Sequence, residues 1–528
     1  MTSTFFGLNI ALSGLQAQQV ALNVTSQNVA NANTDGYTRQ DAQMVATDPF
    51  PVPTAAIAGQ AGQLGTGVEI SSIRRMRDSF LDAQVRAQTS AQGYWDTKQN
   101  YLGQIESVFN EPSDQGISSL LTNFWGAWQD LGANPDSYAA RVTVVQDASA
   151  LTDVIQRDNT QLTDLQTSLD GQIQSQVSQV NTWLSEIASL NKQISAVEVP
   201  QASQYDPNVK VPQAQANDLR DQRDLLLDQL SKVMNVNYKE QSDGSVTVWL
   251  GDITNPSPQA SQILVQADTQ HYLVKLPNTT NANGTTSFGD VVWSTDGDPT
   301  NLSGQAAITW SQNDGQLGAM RELRDVTLNP SGVSGGDNGQ SLAWRLDQMA
   351  NSLATIVNNA HLAGYGEDGN NGRPFFVSSD SNPISAANIV VNPDLVSNPD
   401  LIGAASAPGQ TGNGNQANAI ASALQSGTTT IAEGPGTNTV TSTLSGWYNA
   451  LIAQLGETSK QAQDMSTNQD LLVNRLTTNR ESFSGVSLDE EATNVVRFQR
   501  AYEASARVMN AMDEMLDKLV NGVGVVGR

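Results

Sequence analysis

The longest uninterrupted helical pattern in the chain lies between Pro135 and Pro200, and no proline occurs inside it. Apolar residues three and four positions apart fall on one face of an α-helix. A helix over residues 137–197 would be ~90 Å long at a rise of 1.5 Å per residue, which is longer than a compact domain requires. The sequence therefore predicts an elongated, mainly α-helical protein. The apolar positions that recur in this stretch are Leu151, Ile155, Leu162, Leu165, Leu169, Ile173, Val180, Leu184, Ile187 and Ile194.

The composition limits the kinds of partner and chemistry. At 528 residues the chain is expected to hold about two to four domains. Its 27 basic and 53 acidic side chains give a net charge of −26, which disfavours nucleic acid and anionic membranes as partners. The absence of cysteine excludes disulfides, thiolate catalysis and cysteine-based metal sites. No apolar run approaches the ~20 residues that span a bilayer, so membrane insertion is not expected. The first residues lack the basic and apolar regions of a secretory signal peptide, which predicts that any export leaves the N-terminus uncleaved.

The spacing of apolar residues changes along the chain, which indicates several structural regions. Residues 236–315 alternate apolar and polar side chains around a Ser242-Asp243-Gly244 turn, which predicts an all-β insert. The predicted fold class is mainly α, elongated and multidomain, with paired coiled-coil-like terminal helices, a central helical bundle and an inserted all-β domain. The predicted domains are a terminal helical assembly domain (1–65 with 482–528), a helical bundle (66–235 with 316–376 and 444–481), the β insert (236–315), and a loop-rich outer region (377–443) that is either part of the helical domain or a small extra domain.

Both ends of the chain carry a one-sided apolar stripe with alternating spacings of three and four, which is typical of coiled-coil helices. At the C-terminal end, Ser487 and Glu490 form a capping pattern at the start of a helix. Isolated helices of this kind are marginal in water, so we expect the two ends to pair with each other and with neighbouring molecules. The predicted interface positions are Leu8, Leu15, Leu22 and Val29 at one end, and Leu488, Val495, Phe498, Tyr502, Met509, Met512, Leu516 and Leu519 at the other.

The first helical stretch runs into the segment NVANANTDGYTRQ, residues 28–40. Asparagine is a mediocre helix former, and the Asp35-Gly36 pair is a strong turn signal. A helix this polar needs a partner to be ordered, and we expect the residues after the turn to approach a neighbouring domain or subunit. The predicted interface therefore also includes Asn31, Asn33, Gly36, Tyr37 and Arg39.

Four arginines, Arg74, Arg75, Arg77 and Arg86, concentrate positive charge in an acidic chain. One interpretation is a solvated face or a set of intramolecular ion pairs. The other is a lateral contact to an acidic neighbouring subunit, because the forked donors of arginine suit carboxylates. The sequence leaves both interpretations open.

No pattern singles out an enzymatic or metal site. His271 and His361 lack companions at metal-ligand or catalytic spacing, so structural roles are expected for both. Residues 367–372 lack the carboxylate spacing and the closing glutamate of an EF-hand, which favours a glycine turn. There is no Walker loop, HExxH motif or Rossmann fingerprint. We therefore predict no catalytic, cofactor-binding or metal-binding residues.

Two segments at opposite ends of the chain resemble one protein family. Residues 11–40, ALSGLQAQQVALNVTSQNVANANTDGYTRQ, and residues 485–519, GVSLDEEATNVVRFQRAYEASARVMNAMDEMLDKL, resemble the N- and C-terminal motifs of bacterial flagellar rod, hook and hook-associated proteins. Because the two matches lie so far apart in the chain, together they are more specific than either one alone. Gly36 to Gln40 are similar to the hook-associated members rather than to rod and hook proteins, as are residues 65–145, 315–325 and 371–376.

This resemblance implies a structural, non-enzymatic subunit that leaves the cell through the flagellar type III export apparatus and acts in the extracellular flagellum. It implies a ring-like homo-oligomer at the junction of hook and filament, with hook protein on one side and the next hook-associated protein on the other. It also implies a cytoplasmic export chaperone that binds the C-terminal helices. Two alternatives remain: a sibling hook or distal rod subunit, or an exported adhesin or hydrolase with its site in the outer domains.

Overall fold

The computed structural model describes residues 5–49, 64–198, 215–251, 262–280, 286–310, 313–330, 341–432 and 439–518. The helices in these ranges are α1 (Phe6–Ala30), α2 (Ser79–Phe109), α3 (Ile117–Ala133), α4 (Tyr138–Glu198), α5 (Asn217–Val233), α6 (Gly315–Glu322), α7 (Leu342–His361), α8 (Pro393–Ser397), α9 (Asn415–Ser426), α10 (Leu444–Ser484) and α11 (Leu488–Asp517). The strands are β1 (Gln40–Ala46), β2 (Val68–Arg75), β3 (Val236–Glu240), β4 (Val246–Leu250), β5 (Ile263–Gln266), β6 (Thr269–Gln270), β7 (Tyr272–Lys275), β8 (Thr279–Thr280), β9 (Thr286–Ser287), β10 (Val291–Ser294), β11 (Gln305–Ala307), β12 (Phe376–Ser378), β13 (Ile389–Val391), β14 (Thr429–Ala432) and β15 (Thr439–Ser442).

The long helix α4 is continuous over 61 residues, as the proline-free stretch predicts. One face of it is buried from Val144 to Ile194, and α3, α5, α6 and α7 pack against it. Aromatic rings fill the core beside α3, where Trp128 lies 5.3 Å from Phe375, measured between ring centroids. These side chains belong to one continuous hydrophobic core. The central part of the molecule is therefore a helical bundle built around α4.

A second pair of long helices, α2 and α10, runs antiparallel along this bundle. Asp96 of α2 accepts a hydrogen bond from Ser466 at 2.6 Å, and Gln92 donates one to Asp470. The α2 helix begins at a side-chain cap, because Asp78 accepts from the first free backbone N–H groups. The buried residues of α10 all lie within its first 23 positions, 444–466. The second half of α10 therefore extends beyond the core.

The strands β3 to β11 fall inside the region predicted to be a β insert. They include a four-stranded antiparallel sheet, β3-β4-β5-β6, and a three-stranded sheet, β11-β10-β7. Two asparagines of α4 hold these sheets in place: Asn181 bonds both the amide and the carbonyl of Leu273, and Asn191 donates to the carbonyl of Val246. Leu273 and Val246 also belong to the bundle's hydrophobic core. The β region therefore packs directly on α4.

The described part of the loop-rich region 377–443 contributes side chains to the same hydrophobic core. Its helix α9 packs against α3 and α7, and Ala417, Ile420 and Leu424 are buried there. Whether this region belongs to the helical domain or forms a small extra domain stays a prediction.

The two ends of the chain meet in a separate layer. Helix α11 packs along α1, and an antiparallel ribbon of β1 and β2 covers α1 on another side. The ribbon pairs Gln40 with Arg75 and Ala46 with Val68, so it spans the predicted domain boundary between residues 65 and 66. As predicted, the terminal helices are paired.

Candidate assembly interface

Helices α1 and α11 lie side by side and run in opposite directions. A Cβ atom at Gly7 would lie 2.5 Å from Met512 Cε, and one at Gly14 would lie 3.2 Å from Ser505 Oγ. The residue numbers rise along α1 as they fall along α11, which defines an antiparallel pair. The two glycines allow this close approach because neither carries a side chain.

The predicted apolar seam lies along this pair but is not fully covered by it. The half-buried seam residues are Leu8, Leu15, Leu22, Val495, Phe498, Tyr502, Met509, Met512 and Leu516, while Val29 and Leu488 are exposed. Leu519 lies outside the described residues. The buried positions of α1 are mostly small or polar, such as Ala11, Ala17 and Ala21. A two-helix pair has too little width to bury a complete seam, so apolar surface remains available to other molecules.

Further apolar side chains are exposed on the outer surface of α11 and on the second half of α10. Val496, Val508 and Met515 are exposed on α11. On α10, Leu471 is 67% exposed and Phe483 is also exposed. Contiguous exposed apolar surface on a soluble protein commonly marks an interaction site. Both helices at the C-terminal end therefore present surfaces suited to association.

Asn28 is the polar centre of the terminal pair. Its amide nitrogen donates to the carbonyl of Gln40 (2.9 Å) and to Glu491 Oε2 (3.2 Å). Its amide oxygen accepts from the Tyr37 hydroxyl (2.8 Å) and from the Gln40 N–H (3.0 Å). Burial, followed by nearby carboxylates, raises the pKa of Tyr37, so its hydroxyl remains protonated and can donate. One buried side chain thus joins α1, the turn after it, β1 and α11.

The turn that follows α1 leads Arg39 to the linker between α10 and α11. Gly36 adopts a φ of +78°, which favours glycine and reverses the chain. The Arg39 N–H then donates to the Ser484 carbonyl at 2.9 Å. The guanidinium of Arg39 forms ion pairs with Glu490 (2.7 Å) and Glu491 (2.8 Å). Arg39 therefore connects the N-terminal segment to the start of the last helix.

Three of the four predicted arginines converge on one buried carboxylate of α5. Asp224 accepts ion pairs from Arg75 (2.7 Å), Arg77 (3.3 Å) and Arg86 (3.3 Å). Burial alone would raise the pKa of Asp224, but the arginines, led by Arg77 and Arg86, hold it well below its ordinary value. The interpretation as intramolecular ion pairs therefore describes these three arginines.

The same face of α5 receives contacts from the terminal layer and from α10. Asp228 pairs with Arg86 (2.6 Å) and with Arg480 of α10 (2.7 Å). Asp221 accepts the backbone N–H of Thr38 at 3.0 Å. These carboxylates tie the turn after α1 and the second half of α10 to the helical bundle.

The remaining predicted residues lie at the surface of this region. Asn31 is half-buried and donates only to the Gln27 carbonyl one turn earlier (3.1 Å), and Asn33 is exposed. Arg74 is exposed on β2. A lateral contact through the arginine group therefore stays a prediction, and Arg74 is the member whose side chain is accessible for it.

The sequence analysis missed the carboxylates and the amide that organise this region. Asp218, Asp221, Asp224 and Asp228 recur at spacings of three and four, which places them on one face of α5. That stripe, opposite an arginine cluster, was the signal in the sequence. Asn28 had no comparable signal, because nothing local distinguishes it from Asn31 and its partners are distant in the chain.

The two histidines pack against neighbouring residues, in keeping with the structural roles expected for them. His361 is buried, with Nδ1 2.7 Å from the Arg373 carbonyl and Nε2 accepting the Gly403 N–H at 2.9 Å. The ring of His271 lies 4.9 Å from that of Trp293, measured between centroids. Within the described ranges, no helix is long and apolar enough to cross a bilayer, and no group of three or more His, Cys, Asp or Glu could hold a metal ion.

Three family models match the chain. The Flagellar hook-associated protein FlgK helical domain matches residues 102–376, just over half of the chain. The Flagella basal body rod protein model matches residues 8–38, and the Flagellar basal body rod FlgEFG protein C-terminal model matches residues 479–522. The last two matches coincide with the paired helices α1 and α11. A helical pair formed from rod-type motifs at both ends defines the class, a subunit of the flagellar rod, hook and hook-associated type.

Individual relatives are similar over most or all of the chain. Flagellar hook-associated protein 1 of Bacillus subtilis is 34% identical over 541 aligned positions, with 100% of both chains covered. The protein of that name from Salmonella typhimurium is 26% identical, with 97% of this chain and 99% of the relative covered. The solved flagellar hook junction protein FlgK of Burkholderia pseudomallei shares the fold, with a TM-score of 0.58, 16% identity, and coverage of 76% of this chain and 100% of that one. The chain therefore belongs to the flagellar hook-associated protein 1 (FlgK) family.

Proposed function

We propose that the protein is a structural subunit of the bacterial flagellum at the junction between hook and filament. The observation that carries this proposal is the antiparallel pair of α1 and α11, whose apolar seam stays half-buried in the single chain. Ordering such a pair costs conformational entropy that its own small contact offsets poorly. Packing against copies and flagellar neighbours would bury the rest of the seam.

The geometry supports a subunit that transmits load. Force that enters through the terminal helices reaches the bundle by more than one route, including the contacts of two α5 residues, Asp221 with Thr38 and Asp228 with Arg480. The antiparallel pair of α2 and α10 then continues alongside the bundle. Several parallel connections resist bending better than one covalent linker.

The partners follow from family membership and remain part of the proposal. They are further copies in a ring-like homo-oligomer, hook protein on one side, the next hook-associated protein on the other, and a cytoplasmic export chaperone on the C-terminal helices. The site of action is the extracellular part of the flagellum, after export without cleavage, and the role is non-enzymatic. The sibling alternative, a hook or distal rod subunit, is disfavoured because the rod-type models match only the two ends. No specific observation favours an adhesin or a hydrolase.

The proposal is tested by a matched pair of surface substitutions. Val508 of α11 and Val396 of α8 are 48% and 50% exposed, so Val508→Asp and Val396→Asp make the same change at equally accessible sites. Each variant replaces the chromosomal copy, and attached filaments are counted by electron microscopy. We expect Val508→Asp to abolish filament attachment and Val396→Asp to retain it. Normal filaments with Val508→Asp would contradict assembly through α11.

A further inference from the structure

Arg223 of α5 is a buried cation without a carboxylate partner. Its side chain is 1% exposed, yet among the described residues no Asp or Glu oxygen lies within 4.0 Å of it. Its Nη1 group donates to two neutral oxygens, the Asn191 side-chain oxygen (3.1 Å) and the Gly244 carbonyl (2.7 Å). Its Nε group has no hydrogen-bond partner in the described part of the chain. Burial lowers the pKa of Arg223 to about 10, so the group is still charged at neutral pH.

Burying the charged Arg223 guanidinium without a carboxylate costs folding free energy. A buried charge is ordinarily paired, because the interior solvates an isolated ion poorly. The buried Arg86 nearby follows that rule, with ion pairs to Asp224 (3.3 Å) and Asp228 (2.6 Å). Arg223 departs from the rule although it occupies the position next to Asp224 on α5.

Arg223 lines a cleft of about 670 Å³ between β2, the start of α2, α5 and β3. Five arginines and three carboxylates line this cleft, and two further carboxylates, Asp221 and Glu198, pair with the lining Arg75 and Arg220. Arg75 and Arg77 are paired with Asp224, and Arg220 is paired with Glu198 at 2.6 Å and Glu240 at 2.8 Å. Arg74 and Arg223 are the cations of the cleft for which the described residues offer no ion pair.

We propose that this cleft binds a carboxylate and that a second copy of the chain supplies it from an acidic side chain. The unpartnered N–H of Arg223 and the exposed guanidinium of Arg74 are donors of the charge and geometry that carboxylates accept. Each copy carries 53 acidic side chains, so a neighbouring copy can supply a carboxylate to the two arginines that lack an ion pair within the described residues. The choice of a second copy as the source rests on the proposed function. It differs from the lateral contact considered from the sequence, because Arg223 was absent from that group.

The binding half of the proposal is tested on the purified protein with sodium glutarate, whose carboxylates resemble a glutamate side chain. The Nε–H signals of ¹⁵N-labelled arginines are recorded by NMR at constant ionic strength, and the Arg223 signal is identified by its loss in Arg223→Met. We expect that signal to shift saturably with glutarate but not with chloride. Arg74→Gln, at an exposed site, should weaken the binding about tenfold, as expected for one charge-assisted hydrogen bond. No saturable shift, or an equal response to chloride, would overturn the carboxylate site.

The stability of Arg223→Met separates a binding role from a structural one. Methionine keeps an apolar stem of similar length and removes the uncompensated charge. If Arg223 serves a partner, the midpoint of thermal unfolding should be unchanged or higher than in the wild type. A clear fall in the midpoint would assign Arg223 to holding Asn191 and Gly244 and would contradict the proposal.

The source of the carboxylate is tested by assembly in cells. Arg223→Met and Arg74→Gln are expected to reduce the number of attached filaments, while Lys460→Gln, which removes an exposed charge on α10, is not. Wild-type filament numbers with both arginine variants would rule out a neighbouring copy as the source. The Val508→Asp variant tests the proposed function separately: normal filaments with that variant would contradict the proposed function and not only the carboxylate site.

Discussion

Removing the Asn28 side chain tests how the terminal helices are held together. In Asn28→Ala, the N–H and the carbonyl of Gln40, the Tyr37 hydroxyl and the Glu491 carboxylate each lose a hydrogen bond. Leaving a buried polar group without its partner costs about 1–3 kcal/mol. Water can reach the half-buried Tyr37, so the buried groups dominate, and we expect the pairing of α1 with α11 to weaken by about 2–4 kcal/mol.

The assay must report on the terminal helices alone, because the bundle around α4 has its own large core. Amide hydrogen exchange followed by mass spectrometry measures the opening free energy in α1 and α11 separately from that of the bundle. Asn31→Ala is the control, since the side chain of Asn31, at the C-cap of α1, bonds only nearby residues: it donates to the Gln27 carbonyl and accepts from the Thr34 hydroxyl. We expect Asn31→Ala to lower the opening free energy of α1 and α11 by less than about 1 kcal/mol.

Two results would refute this reasoning. One is unchanged protection of α1 and α11 in Asn28→Ala. The other is an equal loss of protection in Asn28→Ala and Asn31→Ala, which would mean that helix propensity rather than the hydrogen bonds of Asn28 sets the stability of the pair.

Three further predictions concern single groups. Asp224→Asn removes the carboxylate that Arg75, Arg77 and Arg86 share, but each arginine keeps a second carboxylate, so we expect a loss of about 1–3 kcal/mol in chemical denaturation. An unchanged midpoint would contradict the pairing. Arg39→Ala leaves the buried Glu491 carboxylate without its cation, so exchange in α11 should speed up, with a loss of about 1–3 kcal/mol in local stability. Burial lowers the pKa of His361 to about 4. Between pH 6.5 and 4, His361 is therefore protonated in the unfolded chain but largely neutral in the folded chain. The free energy of unfolding should fall by up to about 3 kcal/mol as the pH is lowered through this range. The His361→Asn variant should lack that component when denaturation midpoints at pH 7 and 4.5 are compared, and an identical pH dependence would refute the assignment.

The periodic parts of the fold could be predicted from the sequence. The long helix α4 was predicted because it contains no proline and repeats one apolar face, and local spacing of this kind is set by helix geometry. The pairing of α1 with α11 was predicted because each stripe lacked any other partner. The turn at Gly36 followed from the Asp-Gly signal, and its φ of +78° agrees with that.

The candidate site was harder to predict because its contacts join residues far apart in the chain. Asn28 meets Glu491 across 463 positions, and nothing near Asn28 indicates such a partner. The arginines were recognised, but whether Arg75 and Arg77 face solvent or Asp224 depends on where α5 lies. Arg223 was missed because an unpaired buried charge has no pattern in the sequence. Such features depend on tertiary packing, which local periodicity does not specify.

The antiparallel pairing of α1 with α11 is tested most directly by cross-linking, since the natural chain has no cysteine. A side chain at Gly14 would have its Cβ 3.9 Å from the Ser505 Cβ, close to the separation in a disulfide. Under mild oxidation, Gly14→Cys with Ser505→Cys should form an intramolecular disulfide, and Gly14→Cys with Met512→Cys, two helical turns away, should not. The cross-linked protein should still support filament attachment, because the seam that faces neighbouring molecules is unchanged. Absence of the first disulfide, or preferential formation of the second, would contradict the paired ends on which the proposed assembly depends.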